Sequence, residues 1–286
     1  MLTILFDGVA YGMILFVLAC GLAVTLGLMN FVNLAHGAFA MAGGYITVLL
    51  MGRLGVPFLW CLPIAFAATA VVGAVLERTL YVHLYNRPHL DHVLFTIGLV
   101  FMAVAAIDYF LGAQQQIIRL PPALQGRIEV LGVSIGIYRL FVIGVCGALV
   151  VILQSILAFT RFGSRLRAAV DDARVARGLG IDVNAVFALT FAVGSGLAGL
   201  GGALGAEILG LDPTFPLKFM IYFLIVVTVG GTTSITGPFL ASILLGVADV
   251  AGKYYVPKVG AFVIYALMVG VLLWRPHGLF TRRGAR

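Results

Sequence analysis

Apolar runs recur along the whole of this 286-residue chain, and that recurrence limits its fold more than any single motif does. Nine can be marked, at about 9–28, 34–51, 56–76, 92–112, 136–159, 185–209, 217–232, 237–252 and 259–274. With 62% hydrophobic and only 10% charged residues, there is too little polar surface to coat a water-soluble domain of this size. A bilayer instead selects helices, because a helix satisfies its own backbone hydrogen bonds. The expected fold is therefore all-α: a single polytopic bundle over residues 1–286, with about 8–10 transmembrane or partly re-entrant helices. An ordinary span needs about 20 residues. Segments 34–51, 217–232 and 237–252 fall short of that, which makes them the candidates for broken or re-entrant helices buried in protein.

Charge then orients the bundle. Residues 160–184, TRFGSRLRAAVDDARVARGLGIDVN, carry Arg161, Arg165, Arg167, Arg174 and Arg177 with Asp171, Asp172 and Asp182. An arginine at the bilayer centre costs roughly 2.5–3.5 kcal/mol on insertion scales, so this stretch lies in water between two spans. With nine crossings and the N-terminus outside, it shares the inner face with Arg78, Arg87, Arg275, Arg282, Arg283 and Arg286. That puts 11 of the 18 Lys and Arg residues inside, so N-out/C-in is the expected topology. Within the loop, Ser164 can cap a helix running to about Arg177, and Gly178 and Gly180 can end it. Basic residues spread between spans are not a nucleic-acid footprint. Before the first apolar run there is only Asp7 and no Lys or Arg, so no cleavable leader is expected. Cys20, Cys61 and Cys146 sit in separate apolar runs without metal-ligand spacing and read as buried small hydrophobes.

The longest outer connection, about 113–135, contains Pro121-Pro122 and an alternating run in which Ile128, Val130, Val133 and Ile135 flank Gly132. That pattern predicts a small hairpin, either a plain connector or a meeting point for an external partner.

Three apolar regions carry unusual residues. In MNFVNLAHGAF, Asn30, Asn33 and His36 recur every third residue and would share one helix face. They read as a pathway lining or a helix break beside one; alternatively, the asparagines cap a helix and His36 bonds a carbonyl. In GSGLAGLGGALGAE, the rows Gly194/Ala198/Gly202/Ala206 and Ser195/Gly199/Ala203 predict close helix packing. In VTVGGTTSITGPF, Gly230-Gly231, four hydroxyl residues and Gly237-Pro238 interrupt two apolar runs, so Thr228, Thr232 and Thr233 are pathway candidates unless the stretch is a plain turn. A short echo links Val24-Thr25-Leu26-Gly27 and Gly37-Ala38-Phe39 to Val227-Thr228-Val229-Gly230 and Gly237-Pro238-Phe239, as interrupted helices in two halves would.

Asp108, Glu207 and Asp249 fall near helix ends, where snorkelling or capping accounts for them. No nucleophile–base pair or paired carboxylates stand at useful spacing, and nothing favours a hydrolase built from His36, Ser195 and Asp249. Ion-coupled secondary transport would need more ionisable groups within the spans than this chain offers.

GLAVTLGLMNFVNLAHGAFAMAGGY, the 160–184 loop, FAVGSGLAGLGGAL and the terminal WRPHGLF, in that order, resemble the permease subunits of ATP-binding-cassette importers for branched-chain amino acids. The resemblance covers nearly the whole chain and is to the first of the two paired permeases. It departs from the family pattern at Thr233, where a glycine is common, and at His277, where a basic residue is usual. The resemblance implies a non-enzymatic subunit of a bacterial inner (plasma) membrane, multi-pass in lipid. Its partners would be a second homologous permease, two ATPase subunits and a periplasmic binding protein. ATP and Mg²⁺ would sit on the partners, with no cofactor in this chain. The cargo would be leucine, isoleucine or valine; relatives also move amides, urea and aromatic acids. The 164–178 helix would be the coupling element, with Arg165, Arg167, Asp171, Asp172, Arg174, Arg177 and Gly178 at the ATPase contact.

Overall fold

In the computed structural model the described residues are 1–29, 31, 33–84, 87–130, 133–231, 235–275 and 278–279. Among them, nine helices match the nine apolar segments: α1 (Leu2–Met29), α2 (His36–Leu54), α3 (Phe58–Thr79), α4 (His89–Leu111), α5 (Ile137–Phe159), α8 (Val183–Leu209), α9 (Phe215–Gly230), α10 (Thr236–Tyr255) and α11 (Val263–Trp274). Two short helices, α6 (Arg161–Asp171) and α7 (Ala173–Gly178), fill the charged loop. Six of the helices, α1–α5 and α8, are long and apolar enough to cross a bilayer. The protein is a polytopic all-α membrane bundle.

Segment length misjudged one element. At 19 residues, α2 is long and apolar enough to span, whereas α10, though it runs to 20 residues, is not among the six. By contrast α9, with 16 residues, and α11, with 12, stay short. At 1.5 Å per residue α9 is about 24 Å long, less than the roughly 30 Å hydrocarbon core.

Helix α8 lies at the centre, against α1, α2 and α3. Its glycines explain how three helices reach it. A methyl group on Gly202 would collide with the Ala40 carbonyl of α2, and one on Gly199 would collide with the Thr69 side chain of α3. Gly194 faces Gly21 of α1, and Gly201 faces Leu18. Lipid provides no hydrophobic drive for helices to associate, so this close backbone approach supplies the packing energy. The small-residue rows read from sequence are therefore packing surfaces. A second seam joins α1 to α10, where Gly8 meets Val247, Gly12 meets Ser242, and Phe16 sets its ring edge on Phe239. The paired positions fall along one helix as they rise along the other. Thus α1 and α3 run opposite to α8, and α10 runs opposite to α1, as alternate crossings require.

The alternating run forms β1 (Arg127–Val130) and β2 (Val133–Gly136), paired antiparallel with Ile128 opposite Ile135 and Val130 opposite Val133. The expected turn residue Gly132 lies outside the described residues. Gly126 accepts from the Ile137 N–H at 3.2 Å, which ties the hairpin to the start of α5. The hairpin and the α6–α7 pair therefore sit at opposite ends of α5, whose 23 residues span roughly 35 Å.

Candidate functional site

The charged loop is built as a folded unit. Thr160, not Ser164, caps α6: its hydroxyl oxygen accepts the Gly163 N–H at 3.4 Å. Ser164 instead donates to Arg161 O at 2.9 Å. The continuous 164–178 helix expected from sequence is interrupted at Asp172, whose backbone is extended (φ −153°, ψ 101°). The physical cause is local. Two carboxylates at the C-terminal end of α6 oppose the helix dipole, whereas at the start of α7 an acid is favoured. Asp172 Oδ1 accepts the Arg174 and Val175 N–H groups at 2.8 and 3.0 Å, which starts α7 afresh. Gly180, at φ +81°, turns the chain after α7, and Asp182 caps α8 through the Ala185 N–H at 3.0 Å.

Leu166, Ala169, Ala176, Val183 and Val186 form a small apolar core of their own, separate from that of the bundle, with Leu157 and Phe162 packed against it. Gly163 passes so close to Leu157 O that no side chain fits there, and Arg167 Nη1 donates to the same carbonyl at 2.5 Å. Of the predicted contact residues, Arg167 is thus spent on the end of α5, Asp172 on the α7 cap, and Arg177 on Asn184 Oδ1 at 3.4 Å. Arg165, Asp171, Arg174 and Gly178 are exposed. Beside them stand two exposed apolar side chains that charge alone did not indicate, Val175 (57% accessible) and Leu179 (75%).

The first helix break follows α1. Asn33 is buried and its Oδ1 accepts from Ala35 N–H at 3.1 Å and from the Tyr81 hydroxyl at 3.2 Å. Leu34 N–H donates to Thr96 Oγ1 at 3.3 Å. The Phe31 ring stacks on His92 with centroids 4.3 Å apart and meets Tyr81 edge-on. His36 is also buried, and its Nε2 donates to Leu18 O at 2.7 Å. Of the two sequence readings, this geometry matches asparagine bonding to the local backbone and histidine bonding to a carbonyl. Asn30 lies outside the described residues.

The second break follows α9. Gly231, at φ +87°, ends the helix, and its N–H donates to Val227 O at 2.8 Å. Thr228 Oγ1 donates to Leu224 O at 2.6 Å. Thr232 and Thr233 lie outside the described residues. Sequence reasoning missed the partner of this break: Leu279 N–H donates to Val229 O at 2.8 Å, and Gly278, at φ +89°, sits against Gly231 N and Thr228 O. A glycine four residues beyond the last apolar helix was the available signal.

Two acids differ from expectation. Asp249 does not snorkel; it is buried, pairs with Lys253 at 2.6 Å and leaves Oδ1 without a partner. Glu77 of α3 is buried as well and was not singled out. His36, Ser195 and Asp249 are each engaged with a different partner (Leu18 O, Phe191 O and Lys253), so they form no nucleophile–base set.

The sequence model of the family described as "branched-chain amino acid transport system / permease component" matches residues 4–272. The chain belongs to this permease family. It is 26% identical to the high-affinity branched-chain amino acid transport system permease protein LivH of Escherichia coli K12, over 97% of this chain and 94% of the relative. It is 28% identical to the corresponding BraD permease of Pseudomonas aeruginosa, over 97% and 95%. The LivM permease of E. coli K12 also matches, at 26% identity over 93% of this chain and 68% of that protein. No solved structure matches. The family match runs through both breaks, the α6–α7 unit and the glycine seam of α8.

Proposed function

We propose that this chain is the transmembrane permease subunit of an ATP-driven importer in a bacterial inner membrane, with α6–α7 on the cytoplasmic side as the element an ATPase subunit grips. The observation that carries the proposal is the separate apolar core of the α6–α7 unit, fastened to α5 through Gly163 and Arg167. A loop that only connects spans needs no core. A loop that transmits force must move as one body, and a rigid body displaced at one end of α5 displaces the span itself. Val175 and Leu179 give a partner exposed apolar contacts on the same two-helix unit that carries the exposed Arg165 and Arg174.

The cargo is a branched-chain amino acid delivered by a binding protein on the hairpin side, and the partner permease is a homologue. The relatives' names support the cargo, and similarity to both LivH and LivM of one organism supports the pairing. N-out/C-in orientation follows from the arginine bias. Ion-coupled transport would need a free buried ionisable group; Asp249 is the best placed, and Lys253 neutralises it.

The test is purification in mild detergent followed by reconstitution. An assembly containing ATPase subunits, whose hydrolysis rises with binding protein and leucine, is the expected result. A stable transport-competent chain that carries no ATPase would overturn the proposal.

A further inference from the structure

At the hairpin end, a cavity of about 630 Å³ opens between the outer ends of α1, α5 and α8, with the hairpin and the preceding loop as its roof. Four charged side chains line it: Asp7 and Glu207 beneath, Arg139 at the start of α5, and Arg127 on β1. Asp7 and Arg139 form an ion pair and neutralise each other. Among the described residues neither Glu207 nor Arg127 takes part in an ion pair, so one carboxylate and one guanidinium remain to face the same space. The floor is fixed, because the Tyr138 hydroxyl donates to Leu204 O at 2.6 Å and locks α5 to α8. Ser134 of β2 adds a hydroxyl to the lining.

We infer that this cavity binds a zwitterionic α-amino acid, with Glu207 taking its ammonium group and Arg127 its carboxylate. One free charge of each sign suits a ligand that carries one of each and is neutral overall. It does not suit an uncharged amide or urea, which would leave both protein charges unmatched. A guanidinium presents two parallel N–H donors to a carboxylate, which fixes the ligand's orientation as well as its charge. The volume lies in the range of small-molecule sites, with room for an aliphatic side chain. The inference rests on the importer reading and extends it: the cavity is a holding site on the permease itself, at the face where a binding protein would release its load.

The experiment uses the complete importer in lipid nanodiscs without its binding protein, and saturation-transfer NMR with leucine, leucinamide and 4-methylpentanoate. Leucine should bind at least about tenfold more tightly than either analogue, because each analogue lacks one charged contact. Arg127→Gln should bring leucine down to the leucinamide level and leave leucinamide unchanged. Glu207→Gln should bring leucine down to the 4-methylpentanoate level and leave that acid unchanged. Variants that merely misfold would lose all three ligands alike, and Arg127→Lys, which keeps the charge without the paired donors, should restore only part of the leucine affinity lost in Arg127→Gln. Equal leucine binding in wild type and both variants overturns the inference. So does a wild-type importer that binds no amino acid here while Arg127→Gln weakens binding-protein docking. ATPase subunits retained in the same preparation keep the importer reading standing even if the cavity proves empty.

Discussion

Arg167 reaches across the corner between α5 and α6 to donate to the carbonyl of Leu157 at 2.5 Å. That carbonyl belongs to the last turn of α5 and lacks an intrahelical partner, so the guanidinium caps one helix from the next. Two helices joined this way turn together, which a lever requires.

The break at Asp172 separates two proline substitutions. Ala173 is the first residue of α7, and the residue before it is already extended, so proline fits there without losing a bond. Ala173→Pro should leave leucine-stimulated ATP hydrolysis near wild type. Ala168→Pro, inside α6, should cost about 3 kcal/mol of local stability and uncouple hydrolysis from uptake. Both rates can be read in proteoliposomes.

Asp172→Ala removes the cap of α7. A cost of about 1 kcal/mol is expected, seen as faster amide exchange across residues 173–178 with the spans unchanged.

The nine apolar segments and the existence of the hairpin were legible because a bilayer enforces long apolar runs and a strand enforces alternation; its register came from the structure. The course of the loop was less so. Arg165 and Arg167 look alike in sequence, yet Arg167 is drawn onto α5 by the neighbouring Gly163, and only folding reveals that approach. The spacing of Asn33 and His36 was visible, but their partners, Tyr81 and Leu18, lie 48 and 18 residues away. The bond between Leu279 and Val229 had no periodic pattern to announce it.

Tyr81→Phe and Asn33→Ala probe the first break. Tyr81→Phe deletes one donor to Asn33 Oδ1 and should cost about 1 kcal/mol; Asn33→Ala strands the Tyr81 hydroxyl and the Ala35 N–H and should cost about 2. Thermal unfolding in detergent gives the order, and uptake should fall in the same order. Loss of uptake at full stability would instead assign Asn33 to the pathway.

Gly202→Ala sets a methyl group against the Ala40 carbonyl and should destabilise by at least about 2 kcal/mol. Gly98→Ala, in open space on α4, should be neutral or stabilise by about 0.5–1 kcal/mol. Yield and melting temperature of the purified chains distinguish the two.

Partial burial by itself would raise the Asp212 carboxyl, but hydrogen bonds from Lys218 and Thr214 outweigh it and hold the group below the usual carboxylate range. A depressed folded value means that its contribution is complete above the unfolded value of about 3.9 and is lost as pH falls through the folded one. Asp212→Asn should flatten the acid limb of a stability–pH curve below about pH 4 and leave the neutral range with a constant offset.

The α6–α7 lever is tested most directly by proximity. A photo-activated cross-linking side chain placed at Leu179, which is exposed on the lever, is compared with one at Ile128 on the hairpin, within the assembled importer. Irradiation should join Leu179 to an ATPase subunit and leave Ile128 free of it. An active complex in which position 179 never reaches an ATPase, or in which position 128 does, would contradict the assignment.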